Sequence, residues 1–135
     1  MTSPLVLDQA GRCPCLSGEV YGACCGPLHS GAAAAPTAER LMRSRFTAFA
    51  CHDNAYLLST WAASTRPASL EFDADIRWTR LDILRTERGG MLDTVGIVEF
   101  RAYYRIDREP REPRDQHEVS TFSRENGRWV YEGEL

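Results

Sequence analysis

Four of the five cysteines in this 135-residue chain fall between positions 13 and 25, as Cys13-Pro14-Cys15 and Cys24-Cys25. Thiolates paired in this way are the ligands that a tetrahedral zinc ion draws, at about 2.3 Å each, once a turn brings one pair back over the other. Gly18 and Gly22 between the pairs, and Gly26 after them, supply backbone freedom for that reversal. A site of four thiolates is closed and structural, with no coordination position left for a substrate. The same residues admit other chemistry: two structural disulfides, four reduced buried thiols, or a Cys13-x-Cys15 redox pair. Adjacent Cys24 and Cys25 cannot readily bond each other, and a redox pair leaves them without a role. His29 is an alternative fourth ligand. One structural zinc per chain is the reading the spacing supports best. Cys51 stands apart and reads as a buried filler.

Nothing else in the chain is as specific. There is no phosphate-cradling glycine loop, no recognisable Ser-His-Asp arrangement and no zinc pattern with an open position. A composition of 43% hydrophobic and 26% charged residues describes one globular domain with a small appendage. A net charge of -3 argues against a nucleic-acid surface, which needs a basic footprint. Basic residues concentrate only at Arg40, Arg43 and Arg45 and between Arg105 and Arg114, where interleaved acids indicate a solvated face. Met1 to Ala10 has no basic start, and its apolar run, Pro4 to Leu7, is too short for a signal segment or a membrane span. A cytoplasmic location is therefore expected, with no membrane contact and with reduced thiols.

The elements that must position these residues follow from periodicity. After a small-residue linker, Ser30 to Ala35, Pro36 and Thr37 start a helix running to Phe49 or Ala50. Ala38, Met42, Phe46 and Phe49 form its apolar stripe with Leu41 on the flank, and Arg45 falls inside that arc. Arg45 therefore either snorkels to water or points into an interior cavity. Asp53 or Asn54 caps a second helix, Ala55 to Trp61, and His52 sits at the boundary between the two. From Ile76 the period becomes two. Ile76 and Trp78 share one parity and Leu81 and Ile83 the other, which predicts a bulge near Thr79-Arg80. Gly89-Gly90 turns the chain into the expected longest strand, Thr94 to Ile106, with Val98, Phe100, Ala102, Tyr104 and Ile106 on its core face. Asp107 to Arg114 reads as a mobile polar loop.

Asn126-Gly127 is a strong type I′ hairpin signal. It pairs Glu125 with Arg128, Arg124 with Trp129, Ser123 with Val130 and Phe122 with Tyr131. Glu118, Ser120 and Arg124 then share the aromatic face of Phe122, Trp129 and Tyr131, while His117, Thr121, Glu132 and Glu134 lie outside. His117, tempting as a general base beside Glu118, is thereby a surface residue. Helices followed by an antiparallel meander make an α+β layout with helices packed on one sheet face.

The run Cys13-x-Cys15-x-Ser17-Gly18, an aromatic residue, then Cys24-Cys25-Gly26 closely resembles the SEC-C zinc motif. With Pro27, His29, Gly31 and the stretch Ala35-Pro36-Thr37-Ala38-Glu39-x-Leu41-Met42-Arg43-Ser44-Arg45-Phe46-x-Ala48-Phe49, nearly the whole chain resembles the YchJ family of uncharacterised bacterial proteins. The resemblance implies a tail at 1–10, a SEC-C zinc knuckle at 11–31 and a cone-shaped domain similar to nuclear transport factor 2 at 32–135. It favours Cys25 over His29 as the fourth ligand. Leu16 stands where the motif usually has glycine. SEC-C motifs are thought to grip other proteins, so a protein partner through the knuckle is one expectation, and homodimerisation through the outer sheet face at Val95, Ile97 and Tyr103 is another.

Cones of this kind often use their hollow as a ligand pocket, and relatives in fold carry out acid-base chemistry there. Candidate pocket residues are Arg45, Tyr56, Trp78, Tyr104, Glu118, Phe122 and Trp129. Arg45 and Glu118 are expected close together or at a shared cavity, because a buried charge needs compensation. The expected function is a zinc-binding adaptor or binding module with a small-molecule pocket. A small isomerase, dehydratase or hydrolase is the alternative.

Overall fold

The structure, a computed structural model, describes residues 4–135. Three helices precede a four-stranded antiparallel meander: α1 Cys25–His29, α2 Ala38–Ala50, α3 Asn54–Ser59, then β1 Ile76–Arg88, β2 Val95–Ile106, β3 Pro113–Glu125 and β4 Arg128–Glu134, in sheet order β1-β2-β3-β4. This is the expected α+β layout. Thr37 caps α2 by accepting the Arg40 amide, and Asp53 caps α3 by accepting the Tyr56 amide. His52, between them, takes the left-handed conformation that stops α2, and its ring stacks on Phe72. α3 ends at Ser59, short of the expected Trp61, because Thr60 to Ala62 leaves the helix to pair with the edge of β4: Tyr131 N donates to Thr60 O and Ala62 N to Tyr131 O, both at 2.8 Å.

β1 carries the expected bulge between Trp78 and Arg80, which lets Trp78, Leu81 and Ile83 share one face, and a second, unforeseen one between Ile83 and Arg85. The hairpin pairs are those set by the Asn126-Gly127 turn, both of whose residues have positive φ. Three expectations need correction. β2 spans 12 residues and is not the longest strand, since β1 and β3 each have 13. The polar loop after β2 ends sooner than Arg114, because Pro113 already faces Arg105 across the ladder. A bulge at Glu132 opposite Thr121-Phe122 changes the parity of the strand end, so Glu134 stands opposite Ser120 on the inner face rather than outside.

α2 lies across the inner face of the sheet, against β1, β2 and β4. Its start is pinned where a side chain would obstruct: a Cβ on Gly89 would sit 2.8 Å from Ala38 Cβ, and Ala38 N donates to Gly89 O at 2.9 Å. The core is continuous from the cysteine loop to the sheet, including Cys13, Cys15 and Tyr21 together with Leu41, Phe46, Val98, Phe100, Phe122 and Trp129. The first three residues of the expected tail lie outside the described residues. The rest is not loose, since Leu5 N donates to Cys51 O, Leu7 packs on the core and Gly22 N donates to Gln9 O. Cys51 is buried against the last turn of α2.

Candidate metal centre and inner cavity

The Sγ atoms of Cys13, Cys15, Cys24 and Cys25 all lie within 4.8 Å of one another, and all four residues are buried. None forms a disulfide. Cys15 Sγ is 3.6 Å from Cys24 Sγ, which is 3.9 Å from Cys25 Sγ. A tetrahedron with zinc–sulfur bonds of about 2.3 Å has edges of about 3.8 Å, so the donor set fits a tetrahedral thiolate-binding metal. Hydrogen bonds from Cys15 and Cys25 pull the Cys13 thiol down to about 3, whereas sharing a proton with Cys13 and Cys15, together with burial, pushes the Cys25 thiol up. Anionic sulfurs this close cannot all ionise without a cation among them.

The loop reaches this shape by two routes. Leu16 and Gly18 have positive φ, at 61° and 98°, so a leucine occupies a left-handed position where the motif usually has glycine, with its side chain 43% exposed. Gly26 instead serves by lacking a side chain: a Cβ there would meet Tyr21 O at 2.8 Å.

α2 braces the loop from below. Arg40 Nη1 donates to Cys24 Sγ at 3.3 Å and Nη2 to Cys24 O at 3.1 Å. Arg43 Nη1 donates to Cys15 O at 3.0 Å, and Thr47 Oγ1 lies 3.7 Å from Cys13 Sγ. Hydrogen bonds of this kind orient metal ligands and offset their charge. Arg40, Arg43, Ser44 and Thr47 recur at helical spacing, a polar stripe legible in the sequence, though it reads there only as basic character. His29 is not part of the cluster. Its Nε2–H donates to Ser44 O at 2.8 Å, Nδ1 accepts from the Tyr21 hydroxyl at 2.8 Å, and burial lowers its pKa, so it is neutral with both nitrogens engaged. The alternative of His29 as fourth ligand is set aside on this geometry.

The opposite stripe of α2 faces a cavity of about 280 Å³ between helix and sheet. Arg45, Trp78 and Glu118, three of the expected pocket residues, line it, together with Phe46, Phe49, Trp61, Phe100 and Tyr131. Arg45 is 3% exposed. Its guanidinium rests against the rings of Trp61 and Tyr131, which touch edge to face, at 4.9 and 4.7 Å from their centroids, and Nη1 donates to Leu57 O and Thr60 Oγ1 at 2.8 and 2.7 Å. Snorkelling is thereby ruled out. Burial lowers its pKa to about 10, so it remains a cation at neutral pH. Glu118 accepts from Tyr131 Oη at 3.0 Å, from Gln116 Nε2 at 3.4 Å and from Ser120 Oγ. Arg45 and Glu118 share the cavity, but the direct two-donor ion pair is not formed.

The other expected pocket residues sit elsewhere. Tyr104 packs on Trp78 behind the cavity wall, with ring centroids 5.0 Å apart. Phe122 is buried beneath Tyr131. Trp129 donates Nε1 to Pro36 O and, with Tyr56, lines a separate open groove of about 590 Å³ beside His29 and the linker. Tyr56 packs at a tilt against His29, ring centroids 4.6 Å apart, and bonds Ser44 Oγ at 2.6 Å. Trp61 and Tyr131, which frame the guanidinium, were not among the expected pocket residues. Parity had already placed Tyr131 on the inner face, but depth within that face is not a pattern property. His117 lies on the outer face, bonded to Glu99.

The model of the YchJ middle NTF2-like domain matches residues 37–133, and that of the SEC-C motif matches residues 12–27. The UPF0225 protein of Corynebacterium glutamicum is 52% identical over 120 residues, 89% of this chain and 93% of its own. That of Streptomyces avermitilis is 50% identical over 128 residues, 95% of this chain and 86% of its own. Among solved structures, a SEC-C motif containing protein from Rhodopseudomonas palustris superposes with a TM-score of 0.77 at 32% identity, covering 91% of this chain and 96% of that one. A second, from Psychrobacter arcticus, gives 0.69 at 26% identity over 90% and 78%.

Proposed function

The chain belongs to the YchJ-like UPF0225 family, which joins a SEC-C motif to an NTF2-like domain, and from that premise we propose that it is a zinc-bearing cytoplasmic binding module whose cone holds a small molecule. One zinc ion per chain is held by Cys13, Cys15, Cys24 and Cys25. Bound there, zinc supplies a fixed tetrahedral anchor and no reactive position. Four thiolates around a divalent ion leave two negative charges, which Arg40 on α2, bonded to the Cys24 sulfur, partly offsets.

The observation that carries this reading is the double role of α2. One stripe of the helix grips the cysteine loop and the opposite stripe lines the cavity, so a metal that orders the loop also fixes the cavity wall. Free thiols suit a reducing compartment, and no described helix is long and apolar enough to cross a membrane. The acid-base enzyme reading is less well supported. Among the described residues lining the cavity, Glu118 is the one carboxylate, it is held by three hydrogen bonds within the chain, and no histidine stands beside it as a second acid-base group. A protein partner at the knuckle is a second reading, favoured by Leu16 and Val20, 43% and 42% exposed on the cysteine loop.

Metal analysis of the purified chain tests the proposal. One zinc per chain is expected, less in Cys24→Ser, and unchanged content in His29→Ala. Zinc lost from His29→Ala but retained in Cys24→Ser would contradict the ligand set.

A further inference from the structure

The cavity under α2 has a cation with donors to spare, and its one carboxylate among the described residues already accepts three hydrogen bonds. Arg45 uses only Nη1, on Leu57 O and Thr60 Oγ1, while its Nε and Nη2 have no hydrogen-bond partner among the described residues and are not sealed off from open space. Trp61 Nε1 is also without a partner, but it is sealed off and does not open on the cavity. The carboxylate across the cavity does not answer them, because both oxygens of Glu118 are engaged by Gln116, Ser120 and Tyr131. A buried cation with one edge unsatisfied is a costly arrangement unless something else completes it.

The Nε–Nη2 edge of a guanidinium is a planar fork that matches a carboxylate with two parallel bonds. The remaining walls are flat and apolar: Phe46, Phe49, Trp78 and Phe100, with Met42 between them. A volume of about 280 Å³ suits one or two fused rings. The Glu118 charge at the far side disfavours any second negative charge, and so a phosphate ester.

We infer that this cavity takes a small planar organic monoanion, its carboxylate on the free edge of Arg45 and its ring system against Phe46, Phe49 and Trp78. The inference rests on reading the cone as a small-molecule module and adds the chemical class of its ligand. Binding completes the free edge of Arg45 and buries the apolar body at once, so affinity depends on the charged head as well as on the rings.

Calorimetric titration of the whole chain with 2-naphthoate and with its uncharged isostere 2-naphthamide tests the inference. Naphthoate is expected to bind at least tenfold more tightly than the amide. Arg45→Lys, which keeps the charge but loses the fork, is expected to abolish that preference while retaining amide binding. Ala102→Leu fills the cavity without touching Arg45 and is expected to weaken both probes. Should the lysine variant fail to fold, the two probes on the wild type and on Ala102→Leu still decide. Equal affinity for both probes, with both weakened by Ala102→Leu, would overturn the anion assignment and leave the pocket standing. Binding of neither probe, or binding that Ala102→Leu leaves unchanged, would overturn both.

Discussion

At the scale of single residues, Arg45 shows how a buried charge is held without a counterion in contact. Its cost is offset by two carbonyl- and hydroxyl-directed hydrogen bonds and by two aromatic faces, and Glu118 acts on it only from across the cavity. The two charges are therefore weakly coupled. Replacing Arg45 with methionine is expected to cost about 1–3 kcal/mol, and Glu118→Gln less than about 1 kcal/mol. The double variant should be additive to within about 0.5 kcal/mol, and a coupling of several kcal/mol in denaturant titrations would indicate a direct ion pair. Tyr131 bridges the two, and burial, reinforced by the Glu118 carboxylate, pushes its hydroxyl up to about 12 from an ordinary value near 10. The folded chain holds that proton more tightly than the unfolded chain does. Its stabilising effect is therefore full below pH 10 and is lost as pH rises towards 12. Relative to Tyr131→Phe, the wild type should lose on the order of 1 kcal/mol across that window, after allowance for the partial exposure of the ring. A difference independent of pH would show that the hydroxyl keeps its ordinary acidity in the fold.

Among the elements, α2 carries the most consequence, because its polar and apolar stripes serve two different sites. Arg40→Met keeps the stem that packs on the loop and removes the donors to Cys24, so metal affinity is expected to fall about 10- to 100-fold in chelator competition with little loss of cone stability. An unchanged affinity would reduce Arg40 to a surface contact. Much of this level was legible in advance. The terminal hairpin was readable because Asn126-Gly127 allows one turn type and hence one register, and the bulge at Thr79 because the apolar parity switches there. The bulges at Leu84 and Glu132 were not readable, since Arg85, Glu87 and Glu132 are polar and leave no parity to break. Face could be read for Phe122 and Trp129 and depth could not, so both were placed at a cavity whose wall is formed by Trp61 and Tyr131. Arg45 and Glu118 do share a cavity, as their facing positions imply, but they do not form the contact pair that opposite charges suggest. Opposite charges on facing elements can be matched on paper, but the carbonyl at Leu57 and the ring of Trp61 come from a third segment whose path the pattern does not specify.

For the whole molecule, the outer sheet face is a carpet of ion pairs. All sixteen basic residues are arginines. On this face Arg85 pairs with Glu99, Arg101 with Asp115, Arg105 with Asp107, and Arg80 with Asp82 while lying over Tyr103. Among the described residues, Val95, 49% exposed, with part-buried Ile97, Tyr103 and Val119, supplies the apolar surface there. A face whose charges are already neutralised within the chain gives up little when it meets a copy of itself, and self-association through it is expected to be weak and concentration-dependent. Light scattering should show the mass rising with concentration and the rise absent in Val95→Glu, whereas a strictly monomeric mass at high concentration would end the idea. The metal loop and the cone share one buried core, so loss of metal is expected to be felt at the cavity through α2. Native mass spectrometry of the chain taken directly from cell extract tests the account of a zinc-bearing module most directly. The predicted result is the mass of the chain plus one zinc ion with all five thiols reduced, and Cys24→Ser shifting to the metal-free mass. A chain carrying no metal, or one lighter by the hydrogens lost to a disulfide, would contradict it.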